Sequence, residues 1–279
     1  MKIDLHIHTK YSDGGCELQD LFDRLKENNI ELISITDHNN FDAYQKLEDI
    51  NTYNIKIIKG IEMNVEYNSN ILHLLLYKYN TNSRKLNDYI SKSKSHDILE
   101  FKRMINELEE TYNIKLDEEK VNEFILNNQY FDKVRLNNLL VELNIVNNPK
   151  EAFTKYTHSI KDKTRLSISF KEYIAVAKDS NAISIMAHPM KYLKYYHNIE
   201  NIKKAIKELK ELGLDGVEAY NNRQTNEEMF ELIDFCTKEN LIITAGSDYH
   251  NKIGSEEKKK LGYALDVEIT DKIITMNLN

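Results

Sequence analysis

Short apolar runs alternate with amphipathic stretches at both ends of the chain, and this alternation constrains the fold more than any other feature. Residues 2–8 read as a strand, and residues 17–27 carry Leu18, Leu21, Phe22 and Leu25 at the spacing of one helical face. Residues 31–36 read as a second strand and 42–50 as a second helix, before two extended segments over 55–67 and 70–79. The rhythm resumes at Ser169-Phe170-Lys171-Glu172, a capping-box pattern that opens a helix running to about Lys178. Residues 182–187, 215–220 and 241–246 follow as strands, separated by helices over 199–212, stopped by Gly213, and over 225–239. Such alternation implies parallel strands joined by crossover helices.

Residues 81–165 break the pattern. They are polar and strand-poor, with one apolar helical stripe at Ile98, Phe101, Ile105 and Leu108 and a second between Val134 and Val146. Because α/β signals stand on both sides, the segment reads as an insertion and not as a terminal domain. The expectation is therefore an α/β fold in which residues 1–80 and 166–279 form a small barrel of roughly seven strands and residues 81–165 an inserted helical cap. No internal repeat or low-complexity linker interrupts it.

Composition narrows the function classes. With 41% hydrophobic and 30% charged residues the chain reads as a soluble globular protein, and its longest apolar run, residues 71–77, falls far short of the ~20 residues of a membrane helix. The segment after Met1 is too polar for a signal peptide, and Cys16 and Cys236 alone make no disulfide framework, so the cytoplasm is the expected location. A net charge of −7 argues against a protein that coats duplex DNA.

Metal-ligand residue types gather at the ends of the expected strands. His6 and His8, two apart on the first strand, leave the same face and offer two imidazoles to one ion. Asp13 follows in the Ser12-Asp13-Gly14-Gly15 turn, Asp37-His38 ends the second strand, Glu62 and His73 lie in the third and fourth, and His188-Pro189 ends the fifth. Asp248 and His250, again two apart, follow the last strand. In barrels of alternating strands and helices the C-terminal face carries the active site. Singly, each residue has a bland reading: a hydrogen-bonded edge histidine, a surface glutamate, a satisfied core histidine, turn chemistry at Asp13. Nine such residues at strand ends together make a candidate metal site. His96, His158 and His197, in polar helical stretches, read as surface residues.

Asp4-Leu5-His6-Ile7-His8, Ser12-Asp13-Gly14, Thr36-Asp37-His38, Gly60-Ile61-Glu62, the isolated His73, Ala187-His188-Pro189 and Gly246-Ser247-Asp248-Tyr249-His250 resemble, in their order, the motifs of the PHP (polymerase and histidinol phosphatase) family. The resemblance runs to about residue 263, with the middle insertion matching least well. It implies a distorted seven-stranded (β/α) barrel with a two- or three-metal centre that hydrolyses phosphate esters through metal-activated water. Carried over residue by residue, it implies that His6, His8, Glu62 and Asp248 hold one ion. Glu62, as a bridge, would hold a second with His73 and His188; Asp13, His38 and His250 would hold a third. Imidazole and carboxylate ligands without thiolates suit Mn²⁺, Fe²⁺ or Zn²⁺.

The first-turn ligand is Asp13 where many members have histidine. That resembles the branch of nucleoside 3′,5′-bisphosphate phosphatases, AMP-type phosphatases and 5′–3′ exoribonucleases, whose members also carry a helical insertion after the fourth strand. Phosphate binding needs further cations, and only six of 38 basic residues are arginine. Arg135 sits where that branch has an Arg opening a cap helix, although Leu136-Asn137 replaces the Pro-His that follows there. Arg223, just after the strand at 215–220, falls on the catalytic face of the expected barrel. The expected substrate is a small phosphorylated molecule, a nucleotide or short single-stranded oligonucleotide, and not stably bound duplex DNA or a membrane. The alternatives are a histidinol-phosphate-type phosphatase, a non-catalytic metal-binding PHP module, and a C–N hydrolase on a similar barrel.

Overall fold

The computed structural model describes residues 1–251 and 261–264, in two compact units. One holds Met1–Asp88 and the chain from Ser167 onward, the other Tyr89–Leu166. In chain order the elements up to the insertion are β1 (Lys2–Ile7), α1 (Leu18–Glu27), β2 (Leu32–Ile35), β3 (Lys56–Ile57), β4 (Gly60–Tyr67) and β5 (Asn70–Tyr77). Then come α2 (Arg84–Tyr112), α3 (Glu118–Asn127), α4 (Lys133–Glu142) and α5 (Pro149–Ala152). The first unit resumes with β6 (Ile168–Ser169), α6 (Phe170–Asp179), β7 (Ile183–Met186), α7 (Leu193–Tyr196), α8 (Ile199–Glu211), β8 (Gly216–Asn221), α9 (Asn226–Lys238), β9 (Ile242–Gly246) and β10 (Tyr263–Ala264).

The strands form two sheets, one in the order β10-β1-β2-β3 and one in the order β6-β4-β5-β7-β8-β9, so no single ladder closes a ring among the described residues. The sheets meet at two seams. Ile7 bridges Tyr249, where His8 N–H donates to the Tyr249 carbonyl at 2.9 Å, and His38 bridges Glu62, where Asn39 N–H donates to the Glu62 carbonyl at 2.9 Å.

The expectation of parallel strands fails at β5, which runs antiparallel to both β4 and β7. Its cause is local. Only Asn68 and Ser69 separate β4 from β5, at φ 48° and 61°, and a two-residue turn with both φ values positive joins antiparallel neighbours alone. A parallel partner would need a crossover of a dozen residues or so. The helix expected over 42–50 is also different: Asp42–Asp49 forms 3₁₀ turns in which Ala43 is the one buried residue, too little packing to favour a longer α-helix.

β1 is buried along its whole length after Lys2, as a strand covered on both faces must be. Ile3, Leu5, Leu32, Leu75, Ile185 and Ala245 form the core between the strands, while Leu21, Phe22 and Leu25 of α1 pack on Ile33 and Ile35. α6 opens with the Ser169/Glu172 capping box read from the sequence, and α9 with a second at Thr225/Glu228. In the other unit Phe101, Met104 and Leu108 of α2 pack with Phe124, Phe131, Leu136 and Leu140 into a separate core.

Candidate metal centre

Every one of the nine ligand-type residues lies in the first unit, where their donor atoms converge. His6 is the fifth residue of β1 and His8 follows the strand's end; their Nε2 atoms stand 3.1 Å apart, as the two-residue spacing on one face requires. The chain then turns sharply: Ser12 and Gly14 N–H both donate to the Thr9 carbonyl at 3.0 Å. Only glycine fits at Gly14, because a Cβ there would lie 2.5 Å from the His8 carbonyl. The turn brings Asp13 Oδ1 to 3.6 Å from His8 Nδ1, 3.8 Å from His38 Nε2 and 3.2 Å from His250 Nε2.

Glu62 and His73 do not end their strands. Glu62 is the third residue of β4, because the bridge to His38 sets the start of β4 level with the end of β2. His73 sits in mid-β5, opposite Asn64. Fully buried, Glu62 is the hub of the cluster. Its Oε1 lies 2.8 Å from His73 Nδ1 and 3.0 Å from His188 Nε2; its Oε2 lies 3.1 Å from His8 Nε2, 3.2 Å from His38 Nδ1 and 3.5 Å from His6 Nε2. His188 and Asp248, which follow β7 and β9, both adopt left-handed backbone, at φ 30° and 54°. Such strain in non-glycine residues persists only where surroundings hold it. Asp248 Oδ1 faces His8 Nε2 at 3.4 Å, His250 Nδ1 at 3.5 Å and His6 Nε2 at 3.6 Å.

Burial alone strips charge from ionisable groups, and at His188 it prevails, pushing the pKa down to about 3. Elsewhere pairing outweighs burial. At His8 the carboxylates of Asp248, Glu62 and Asp13 raise the pKa to about 9 against burial, and Glu218 and Glu62 likewise hold His6 well above the usual imidazole value. Burial also opposes the carboxylate of Glu62, yet the neighbouring His38, His73 and His6 hold it well below the usual range. The same balance keeps Asp13 and Asp248 ionised. Ionised carboxylates packed this way need positive charge beside them, which imidazolium protons or divalent cations supply.

The residues fit the second option. Glu62 Oε2 is buried without a hydrogen bond of acceptable geometry among the described residues, although three imidazole nitrogens surround it. Four sets of donor atoms within 4.8 Å of one another could each hold an ion: His8, Asp13, His38 and His250; His6, His8 and Asp248; His6, Glu62 and His188; His38, Glu62 and His73. His6 thus groups with His188 as well as with its expected partners His8, Glu62 and Asp248, and His38 with Glu62 and His73 as well as with Asp13 and His250.

Four further residues support the nine: Asp4 and Asp37 stand in the sequence motifs without an assigned role, and Glu218 and Lys191 lie outside those motifs. Asp4, fully buried, accepts from Ser247 N–H at 2.9 Å, Ser247 Oγ at 2.6 Å and Gly262 N–H at 2.9 Å, tying the ends of β1 and β9. Asp37 accepts from Thr9 N–H at 2.8 Å and Thr9 Oγ1 at 2.6 Å and from Ser12 Oγ, bracing the turn that carries Asp13. Glu218 contacts His6; its signal was a glutamate inside the otherwise apolar strand Val217-Glu218-Ala219. Lys191, three residues after His188, brings Nζ to 3.4 Å from His73 Nδ1.

Arg223 places a guanidinium nitrogen 3.2 Å from Asp248 Oδ2, with 42% of its side chain exposed. Arg135 belongs to the other unit: near the start of α4, its N–H donates to the Asp132 cap at 2.8 Å and its guanidinium lies 5.9 Å from the Tyr130 ring centroid. His158 and His197 are exposed, whereas His96 is half-buried with Nε2 3.2 Å from the Thr164 carbonyl. Cys16 and Cys236 are buried and unpaired by disulfide.

The PHP domain family matches residues 4–218. A curated relative, a 5′–3′ exoribonuclease of Haemophilus influenzae, is 23% identical over 276 residues, which cover 98% of this chain and 97% of that one. Two solved structures share the fold. A Bifidobacterium adolescentis protein, named for an inferred metal-dependent phosphoesterase activity, has a TM-score of 0.71 at 19% identity, over 99% of this chain and 96% of its own. An amidohydrolase from Chromobacterium violaceum, with sulfate bound and no metal, has a TM-score of 0.69 at 17% identity, over 98% and 97%.

Proposed function

Because this chain belongs to the PHP domain family, we propose that it is a metal-dependent phosphoesterase acting on nucleotides or short single-stranded oligonucleotides. The observation that carries this reading is the buried Glu62 carboxylate, whose two oxygens have five imidazole nitrogens within 3.5 Å. A carboxylate so placed can serve two ions at once. In this reading His6, His8 and Asp248 hold one ion with Glu62, His73 and His188 complete a second site, and Asp13, His38 and His250 form a third. Two or three bound Mn²⁺, Fe²⁺ or Zn²⁺ ions would neutralise phosphoryl oxygens and lower the pKa of water from ~15.7 toward ~7. The two sheets, joined at their two seams, are read as a ring of β1, β2, β4, β5, β7, β8 and β9 around this centre.

The chain's own part is to bind and orient. Arg223 spends one guanidinium edge on Asp248 and turns the exposed remainder to a phosphate, which a planar fork grips with two parallel hydrogen bonds. Lys191, beside His73, offers a second, point-like cation. His73, Asp13 and His250 are the partly exposed members of the cluster, so the phosphate approaches from their side. Asp13 in the first turn and the exoribonuclease relative support a nucleotide or oligonucleotide ester.

The test is kcat/KM, with Mn²⁺ or Zn²⁺ supplied, on a nucleoside monophosphate, a nucleoside 3′,5′-bisphosphate, a short 5′-phosphorylated RNA, duplex DNA and histidinol phosphate. The nucleotides or the short RNA should lead by about tenfold or more, a difference of roughly 1.4 kcal/mol in transition-state binding. Equal rates on histidinol phosphate or duplex DNA would overturn the substrate assignment. Phosphate release from none of them would overturn the phosphoesterase reading.

A further inference from the structure

Glu218 stands apart from the nine ligand candidates. It is fully buried between Val217 and Ala219, both fully buried too, where a carboxylate is costly unless each oxygen is satisfied. Both are. Oε1 lies 3.0 Å from His6 Nδ1, while Oε2 accepts His188 N–H at 2.8 Å and an Asn221 side-chain N–H at 3.0 Å. Asn221 Nδ2 also donates to the Gly246 carbonyl at 3.2 Å, so the ends of β1, β7, β8 and β9 meet at this one carboxylate. Two backbone features make room for it. The β8–β9 register shifts between Glu218 and Tyr220, an irregularity of the kind that re-aims a side chain. A Cβ on Gly246 would lie 2.3 Å from Glu218 Oε1 and 2.2 Å from His6 Cβ, so no larger residue fits there.

The geometry points to Glu218 as the positioning residue of the centre: it keeps a proton on His6 Nδ1, which leaves Nε2 as the atom that can meet an ion, and it pins the His188 backbone in the orientation that presents His188 Nε2 to Glu62. A neutral imidazole has one N–H, and a carboxylate at Nδ1 keeps it there. His6 Nε2 stands 3.1 Å from His8 Nε2, 3.5 Å from Glu62 Oε2 and 3.6 Å from Asp248 Oδ1, and with an ion among them it would turn its lone pair to that ion. At His188 the bond from N–H to Glu218 helps hold a left-handed φ of 30° that a non-glycine residue otherwise avoids. One side chain thus orients residues assigned to two different ions, an inference that rests on the metal reading above.

The experiment titrates Mn²⁺ into chelator-stripped full-length protein, following free Mn²⁺ by electron paramagnetic resonance and, separately, the unfolding midpoint of the stripped protein. Glu218→Gln keeps the shape but cannot accept on both sides, since one oxygen becomes an NH₂. Its Mn²⁺ Kd should weaken ten- to a hundredfold, the usual cost of losing a group that orients a ligand, while the metal-free midpoint stays within about 3 °C. A Kd equal to wild type would overturn the inference, whatever happens to the midpoint. Should that variant fail to fold, Asn221→Ala keeps the carboxylate and removes its brace; a several-fold weaker Kd is expected, and an unchanged one overturns the inference. Wild-type protein that binds Mn²⁺ yet releases phosphate from no ester would sink the phosphoesterase reading and leave Glu218's role standing. Wild-type protein that binds no Mn²⁺ would end both.

Discussion

At the scale of single residues, the centre is built on a contrast between Glu62 and everything near it. One buried carboxylate faces five imidazoles, so its charge is the term on which the cluster's electrostatics turns. Glu62→Gln removes that charge and aims an NH₂ at nitrogens that need an acceptor or an ion. Metal content by elemental analysis should fall by at least one ion per chain, and kcat/KM by a hundredfold or more, on the order of 3 kcal/mol. His96→Ala is the matched control: half-buried and bonded to the Thr164 carbonyl in the other unit, it should leave kcat/KM and metal content unchanged. Arg223 makes a different prediction, because it touches a ligand candidate without being one. Arg223→Ala should lower kcat/KM by about ten- to a hundredfold, the size of a lost charge-assisted phosphate contact, while metal content holds. Unaltered kinetics would place the phosphate elsewhere.

At the scale of elements, the positions of the candidate ligands depend on how strands end and turn. The turn after β1 shows this most directly. Gly14 packs so closely that a methyl group would overlap the His8 carbonyl and the Thr9 nitrogen, which are backbone atoms and cannot swing away. Gly14→Ala should therefore open the turn and carry Asp13 off its three histidines. The expected result is an Mn²⁺ affinity at least tenfold weaker, with the far-ultraviolet circular dichroism of the wild type, because the core on β1 and α1 is untouched. Loss of secondary structure would mean that the turn supports the fold and not the ligand. The antiparallel β5 teaches the complementary lesson. Its turn, Asn68-Ser69, is visible in the sequence as two polar residues between extended segments, but strand direction follows from their φ values, which residue type alone does not dictate.

At the scale of the whole molecule, many like and unlike charges are buried in one place, and the folded state should depend on the ions that compensate them. Saturating the stripped protein with Mn²⁺ at a hundred times its Kd should stabilise it by roughly 2.7 kcal/mol per site, read as a raised thermal midpoint that a chelator reverses. No shift would show that the cluster is not an ion site. No described helix is long and apolar enough to cross a membrane. Much of the candidate cluster was legible beforehand because most of its members come in contiguous motifs. A two-residue period puts His6 and His8 on one face, and the tight turns that present Asp13, His188 and Asp248 carry their own local marks. The alternation of strand and helix likewise announced an α/β fold. Tertiary structure alone decided the rest: that Glu62 is the hub, that the strands divide into two sheets meeting at seams, and that Glu218 finds His6 across 212 residues of chain. Periodicity records which face of an element is buried. It does not record which buried faces meet, and a glutamate in an apolar strand has no meaning until its partner is in place.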